Sequence, residues 1–267
     1  MQPLRILVRG AYGRMGREVV RAVAAEADLR LVAAIDRAGV DEDAGRVAGL
    51  EPLGVPIRPP EELVAALEDA APEVAIDFTK GPEALDLFRA ALPRHVAPVV
   101  GTTGMAPESL DEVRRLCEAH GTPAFVAPNF AIGGVLMMKF AQEAARYLGD
   151  VEIIELHHER KVDAPSGTSA LPAKMIAETR APARAERPAP LDEAPGSRGT
   201  EAHGVRIHSV RLPGLMAHQE VIFGGLGQIL TIRHDSLDRT SYRPGILLAA
   251  RKIREQKGLV VGLEKLL

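Results

Sequence analysis

Along the first half of the chain, short apolar runs alternate with stretches whose apolar residues recur every three or four positions. LRILVRG (4–10), LRLVAAID (29–36), EVAIDFT (73–79), the start of HVAPVVGTTG (95–104) and TPAFVAPNF (122–130) are continuously apolar and close on glycine or a polar turn residue. That is the mark of strands buried on both faces. Between them, 16–27, 60–70, 82–92 and 107–121 have helical spacing, the last closed by Gly121. The alternation predicts a parallel sheet covered by helices on both sides.

After residue 130 the pattern changes. GGVLMMKFAQEAARYLGD (133–150) predicts a long helix, VEIIELHH (151–158) a strand and TSALPAKMIAET (168–179) another helix. Residues 180–200 are rich in Ala, Pro, Arg and Glu without periodicity and predict an exposed loop. The segments at 204–214, 218–225 and 227–235 are β-rich and separated by glycine turns, which predicts an antiparallel meander. A helical tail covers 241–258. The second half is therefore α+β.

Composition narrows the function. A chain of 267 residues with 46% hydrophobic residues and a formal net charge of −3 predicts a globular protein with a sizeable core and no basic surface for nucleic acid. No stretch is apolar and long enough to span a membrane, and the N-terminus has no signal-peptide pattern, so the expected location is cytoplasmic. The single cysteine, Cys117, lies in a helical pattern and excludes an intrachain disulfide.

The first chemical signal follows the first strand. GAYGRMG places Gly10, Gly13 and Gly16 between a strand and a helix, where they permit a tight turn and close backbone approach to a pyrophosphate at a helix start. The G-x-x-G-x-x-G spacing is not the commonest form and is weak alone; its place at the start of a βαβ unit strengthens it. The second strand leads to Asp36, placed to accept hydrogen bonds from a ribose, and Arg37 follows, suited to a 2′-phosphate or simply to solvent. VVGTTG and VAPNF leave strands at the carboxyl edge of the sheet, where ligands of open α/β sheets bind. Thr79 on the same rim either touches cofactor or caps the next helix.

The second signal is ELHHERKVDAPSGTSA (155–170). On a strand that stays extended, His157 and His158 point to opposite sides. Lys161 follows, then a turn and a helix start carrying Ser166, Gly167 and Thr168, a ready carboxylate site. The set suits an anionic small molecule that receives a proton; an edge strand followed by a capped turn is the plainer alternative. Diverging histidines without a third ligand do not make a metal site.

GAYGRMG, IDFT, VVGTTG, APNF, EIIELHHERKVDAPSGT and HSVRLPGLMAHQEVIFG together resemble dihydrodipicolinate reductase, in the same order over nearly the whole chain. The resemblance implies a Rossmann-type dinucleotide-binding domain (1–130 with 239–267) and a smaller α+β substrate and oligomerisation domain (131–238) with a mixed or antiparallel sheet. It implies reduction of a cyclic dicarboxylate imine to tetrahydrodipicolinate with NADH or NADPH, in diaminopimelate and lysine biosynthesis, by a homotetramer. His157 is then the proton donor and Lys161 the second catalytic group. His158, Ser166, Gly167 and Thr168 bind substrate carboxylate. Cofactor lies along Gly10, Ala11, Tyr12, Gly13, Arg14, Met15, Asp36, Arg37, Gly101, Thr102, Thr103, Ala127, Pro128, Asn129 and Phe130. Asp36 stands where the best-known members carry glutamate, which leaves the choice between NADH and NADPH open.

Two other readings compete. A semialdehyde dehydrogenase needs a nucleophilic cysteine, and Cys117 lies mid-helix. A nucleotide-binding regulator without turnover accounts for the glycines but not for HHERK beside a carboxylate-binding turn.

Overall fold

The computed structural model describes residues 2–79, 81–102, 105–182 and 196–267. They form two compact units, Met1–Phe130 with Tyr242–Leu267, and Ala131–Ser241.

The first unit is built on a seven-stranded sheet. Its strands are β1 (Leu4–Arg9), β2 (Leu29–Ile35), β3 (Ile57–Arg58), β4 (Val74–Asp77), β5 (Ala97–Gly101), β6 (Ala124–Ala127) and β12 (Leu259–Val261). The spatial order is β12-β6-β5-β4-β1-β2-β3, and every pairing is parallel. The continuous apolar runs are buried because helices α1 (Arg14–Ala24), α2 (Ala44–Val47), α3 (Leu63–Ala70), α4 (Gly81–Ala91), α5 (Pro107–His120) and α8 (Arg243–Lys252) accompany the strands. Leu7, Ile35, Leu67, Leu87, Phe88, Val100 and Val113 form one buried cluster. α5 shows how local sequence sets a helix: Pro107 opens it, and Gly121, at φ +61°, ends it in the left-handed conformation.

Two short strands escape the periodicity argument. β3 has only two residues, and β12 follows the expected helical tail, in residues to which the periodicity assigns no element. The tail helix stops at Lys252; Gly258, at φ +64°, turns the chain, and Leu259, Val260 and Val261 pair beside β6. β-branched residues fit a pleated sheet better than a helix end.

The second unit holds a five-stranded sheet of order β11-β10-β7-β9-β8. Its strands are β7 (Asp150–His157), β8 (Thr200–Ala202), β9 (Val205–Arg211), β10 (Ala217–Gly225) and β11 (Gln228–Ser236), with α6 (Ile132–Ala145) and α7 (Gly167–Thr179). The expected meander is only partly present. β10 and β11 form an antiparallel hairpin, but β7 inserts between β10 and β9, and β9 runs parallel to it. Buried charge gives a reason: β7 aims Glu155 and His157 inward, and only a strand on its far side can bring Arg211 to them. α6 ends before Gly149, so Asp150, expected in the helix, begins the strand. Residues 183–195 of the expected loop lie outside the described residues.

Within the first unit, α8 packs so closely that a Cβ on Gly245 would overlap the carbonyl oxygen of Phe130. Gly245→Ala is expected to destabilise this unit by roughly 1–3 kcal/mol, as overpacking does. Urea unfolding measures it; an unchanged midpoint would show that the helix shifts freely.

Candidate functional site

Strand order reverses between β1 and β4, since β2 and β3 lie on one side and β5, β6 and β12 on the other. The carboxyl edge at such a point is where open α/β sheets bind ligands. The glycine loop sits there. Gly10 has φ +75°, and its amide donates to Ile35 O at 2.8 Å. A Cβ on Gly16 would overlap the Gly10 carbonyl, so only glycine lets α1 approach the loop this closely. Tyr12, Gly13 and Arg14 are exposed, Met15 is half-buried and Ala11 is buried. α1 starts after Gly13 with no side-chain cap and no acidic residue in its first turn. Its first amides and positive dipole end are thus open to an anion.

Asp36 closes on this loop. The Tyr12 amide donates to its Oδ2 at 2.9 Å and the Ala38 amide to its Oδ1 at 3.1 Å. Arg37 is exposed and lies 3.6 Å from Glu83. Thr79 faces Gly10 across the reversal point; its Oγ1 is buried and has no hydrogen-bond partner, while its amide donates to Asp77 Oδ1 at 2.6 Å. Gly101 and Thr102 lie at the end of β5, and a Cβ on Gly101 would run into the Phe78 ring. Ala127 and Phe130 are buried, and the Phe130 ring packs 5.4 Å from Phe78 and 5.7 Å from Phe125. These two can meet a ligand only through their backbone, whereas Pro128 is exposed and Asn129 half-buried. Thr103 lies outside the described residues. A loop with glycine at every third position, an uncapped helix start and a buried hydroxyl lacking a partner fit a dinucleotide.

The second unit gathers a different set. β7 alternates half-buried and buried positions, so Glu155 and His157 share its inner face. His157 Nδ1 lies 2.5 Å from Glu155 Oε2, a close electrostatic contact rather than an aligned hydrogen bond. Glu155 is completely buried. Its Oε1 accepts from Arg211 Nη2 at 2.8 Å and from the Ser166 amide at 3.2 Å. Burial opposes its ionisation, but His157, Arg211 and Ser209 more than offset this and hold the carboxyl well below the ordinary range. Arg211 also donates to the carbonyl of Asp163 at 2.6 Å, which fixes the turn after β7.

β7 ends at His157, so strict alternation does not extend to His158. His158 Nδ1 is buried without a hydrogen-bond partner, and the Lys161 amide donates to the His158 carbonyl at 3.1 Å. This turn, not a straight strand, sets the direction of Lys161. Its Nζ lies 2.7 and 2.9 Å from the two oxygens of Asp163, and that ion pair is the main cause of the lowered Asp163 pKa. Ser166 is the N-cap residue of α7, yet its hydroxyl does not cap the helix. It joins Thr168 Oγ1 at 3.1 Å and Ser169 Oγ at 2.8 Å, and Ser169 in turn donates to Gln219 Oε1 at 2.9 Å. The start of α7 thus has no side-chain cap of its own and an ordered row of hydroxyls.

Four residues that support this segment do not stand out from the sequence as such: Glu155, Ser169, Arg211 and Gln219. Glu155 alone had a legible signal, two residues before His157 on the same face of a strand. Cys117 is buried and its thiol is pushed up to about 11, chiefly by desolvation, so it offers no nucleophile. Among the described residues no cluster of potential ligands could hold a metal, and no helix is long and apolar enough to cross a membrane.

A parallel sheet with a glycine cradle at its reversal point, joined in one chain to a proton-bearing, carboxylate-suited segment, defines a nicotinamide-dependent oxidoreductase. Two family models match, dihydrodipicolinate reductase N-terminus over residues 4–130 and C-terminus over 133–267. The chain belongs to the dihydrodipicolinate reductase family. It is 50% identical to the 4-hydroxy-tetrahydrodipicolinate reductase of Moorella thermoacetica over 99% of this chain and 98% of that one. It is 49% identical to the enzyme of the same name from Desulfitobacterium hafniense over the whole of both chains. Among solved structures, the dipicolinate-bound dihydrodipicolinate reductase from Paenisporosarcina sp. TG-14 is 41% identical and superposes with a TM-score of 0.88, each chain fully covered. The amine dehydrogenase of Mycobacterium smegmatis, 16% identical with a TM-score of 0.68 over 96% and 94% of the chains, shares the fold.

Because a Cβ at position 16 must displace the Gly10 carbonyl, Gly16→Ala is expected to weaken NADH binding at least about tenfold, or roughly 1.4 kcal/mol. Fluorescence titration checks it. Unchanged affinity in the folded variant would remove the loop from the cofactor site.

Proposed function

We propose that the protein reduces 4-hydroxy-tetrahydrodipicolinate to tetrahydrodipicolinate with NADH or NADPH, in the cytoplasm, on the path to diaminopimelate and lysine. The observation that carries this reading is the arrangement from His157 to Thr168: an imidazole and a hydroxyl-lined helix start without a side-chain cap of its own, both held by one buried carboxylate, with an ammonium paired to Asp163 in the turn between them. The Paenisporosarcina relative was solved with dipicolinate, a planar dicarboxylate, and such a ligand matches a site built for carboxylate.

The bound cofactor supplies hydride to the substrate ring. The chain's own residues do the rest. His157 delivers a proton to the ring carbon that gains electron density, since imidazole is the side chain suited to proton transfer near neutral pH. Lys161, shared with Asp163, brings a positive charge to a substrate carboxylate. His158, Ser166, Gly167 and Thr168 receive that carboxylate at the start of α7. In the first unit, Gly10, Ala11, Tyr12, Gly13, Arg14 and Met15 take the pyrophosphate and Asp36 the ribose. Gly101, Thr102 and Ala127 through Phe130 line the nicotinamide end, to which the sequence motif alone assigns Thr103. Arg37 serves NADPH, its exposed guanidinium exchanging Glu83 for a 2′-phosphate.

The same reading assigns a homotetramer to the outer face of the five-stranded sheet. Ile154, Leu156, Val210 and Ile222 line that face half-exposed, and Ile229 on the edge strand is 76% exposed. Their charged neighbours are already paired, Glu152 with His208 and Glu220 with Arg233. An apolar face edged by satisfied charges suits self-association.

Two outcomes test this. His157→Gln is expected to lower kcat by roughly 10²–10⁴ with a smaller change in KM. Lys161→Ala should be at least as damaging, and Thr168→Val should mainly raise KM, by about 1–2 kcal/mol of binding. Loss of 340 nm absorbance with synthase-generated substrate is the assay. Near-normal turnover in the first two variants, or lost NADH binding in folded protein, would sink the assignment. For assembly, sedimentation should give four chains, and Ile222→Lys a smaller species; a stable, active wild-type monomer rules the tetramer out.

A further inference from the structure

We infer that Glu155 is the positioning residue for the proton donor: it fixes the proton of His157 on Nδ1, turns Nε2 toward substrate and stabilises the imidazolium. The inference deepens the reading of His157 given above and rests on it. Nothing in the motif HHERK requires the residue two places earlier to be acidic.

The geometry supports the role in three ways. First, the carboxylate and imidazole meet at 2.5 Å while both are almost wholly shielded from water, His157 at 7% exposure and Glu155 at 0%. At that separation a carboxylate favours a protonated nitrogen and disfavours a bare lone pair. Second, Glu155 cannot swing away. Its other oxygen is held by Arg211 from β9 and by the Ser166 amide at the head of α7, so two further elements clamp it. Third, neither His157 Nδ1 nor Glu155 Oε2 has any other partner, so these two buried atoms are left facing each other. With the Nδ1 side facing Glu155, the opposite edge of the ring, Nε2, is the one left for substrate. Carboxylates that orient a working histidine act in this way in other enzymes, by fixing tautomer and stabilising the charged ring.

The other groups around His157 do not replace Glu155. In register beside it are Arg211 on β9 and Ala217 on β10. Arg211 is cationic and opposes an imidazolium, but its guanidinium is spent on Glu155, the Val210 carbonyl and the Asp163 carbonyl. From α7 come Ser166 and Ser169, and from β10 Gln219, all uncharged and bonded to one another in a row. Lys161, in the turn, is paired with Asp163. Among the described residues, Glu155 is thus the carboxylate in contact with His157.

The test uses the full-length enzyme with saturating NADH. Glu155→Gln, of nearly the same shape, should lower kcat by roughly 10- to 100-fold, the usual cost of removing an outer partner of a working group. It should leave the NADH dissociation constant unchanged. The alkaline limb of kcat/KM should move, which a purely structural role would not cause, and Glu155→Asp should restore part of both. His157→Gln serves as the reference and should lack that limb. If His157→Gln turns over normally, the proton-donor reading itself fails. If His157→Gln is inactive but Glu155→Gln keeps the wild-type limb, or loses activity only in step with folded fraction by circular dichroism, Glu155 is structural and the inference fails alone. Should Glu155→Gln not fold, nitrogen-15 NMR of the native imidazoles decides: His157 is expected to carry its proton on Nδ1 near pH 8, and a proton held on Nε2 alone would overturn the proposal.

Discussion

A carboxylate with no access to water must be neutralised by its neighbours, and Glu155 sets this condition for the second unit. Taking such a charge out of water costs several kcal/mol, which only good geometry recovers. The recovery comes from three directions: His157 on its own strand, Arg211 on the parallel neighbour β9, and the Ser166 amide at the start of α7. Each of these ties an element to the same point. β9 must lie beside β7 rather than beside β10, α7 must begin where its first amide reaches back to the strand, and the turn must pass under Arg211. Sheet order, helix start and turn path thus meet at one buried charge, and the residues argued to meet substrate sit on the parts joined there.

The first unit is organised by closeness of backbone instead. Gly16 against Gly10, Gly101 against the Phe78 ring and Gly245 against Phe130 are contacts that no side chain could replace. Continuous apolar strands supply the core, and the glycines let helix and loop come near enough to present amides. A buried ion pair also lies at the reversal point, Arg9 Nη1 with Asp77 Oδ2 at 3.2 Å, and Asp77 holds the Thr79 amide. Arg9 reads as one more residue of an apolar strand until its partner, 68 residues away, is seen.

What could be read from sequence follows the range of each signal. Strands and helices of the first half were legible because periodicity is local, and the glycine loop because its spacing lies within seven residues. The cluster from His157 to Thr168 was legible for the same reason. The position of β9 beside β7 was not, since hairpin signals favour neighbours in sequence and the choice depends on Arg211 meeting Glu155. β12 was hidden because three residues are too few for a period to show. Buried partners such as Arg211 and Gln219 announce themselves only when a fold brings them under another residue.

The two buried carboxylates show why burial alone does not decide charge. Asp77 is pushed upward, because desolvation outweighs Arg9 and the Thr79 amide. Glu155 moves the other way, because an imidazole, a guanidinium and Ser209 all favour its ionised form. Their effects on stability therefore have opposite signs. The folded-state pKa of Glu155 is depressed, so its contribution is complete above the ordinary carboxylate range and is lost as pH falls through the folded value. The folded-state pKa of Asp77 is raised, so the folded state gains from its protonation as pH falls and loses that gain as pH rises through the folded value. On acidification, then, Asp77 is relieved of a desolvated charge, while protonation of Glu155 removes the anion that joins β7, β9 and α7. The carboxylate that stays ionised is the one on which the proposed chemistry depends.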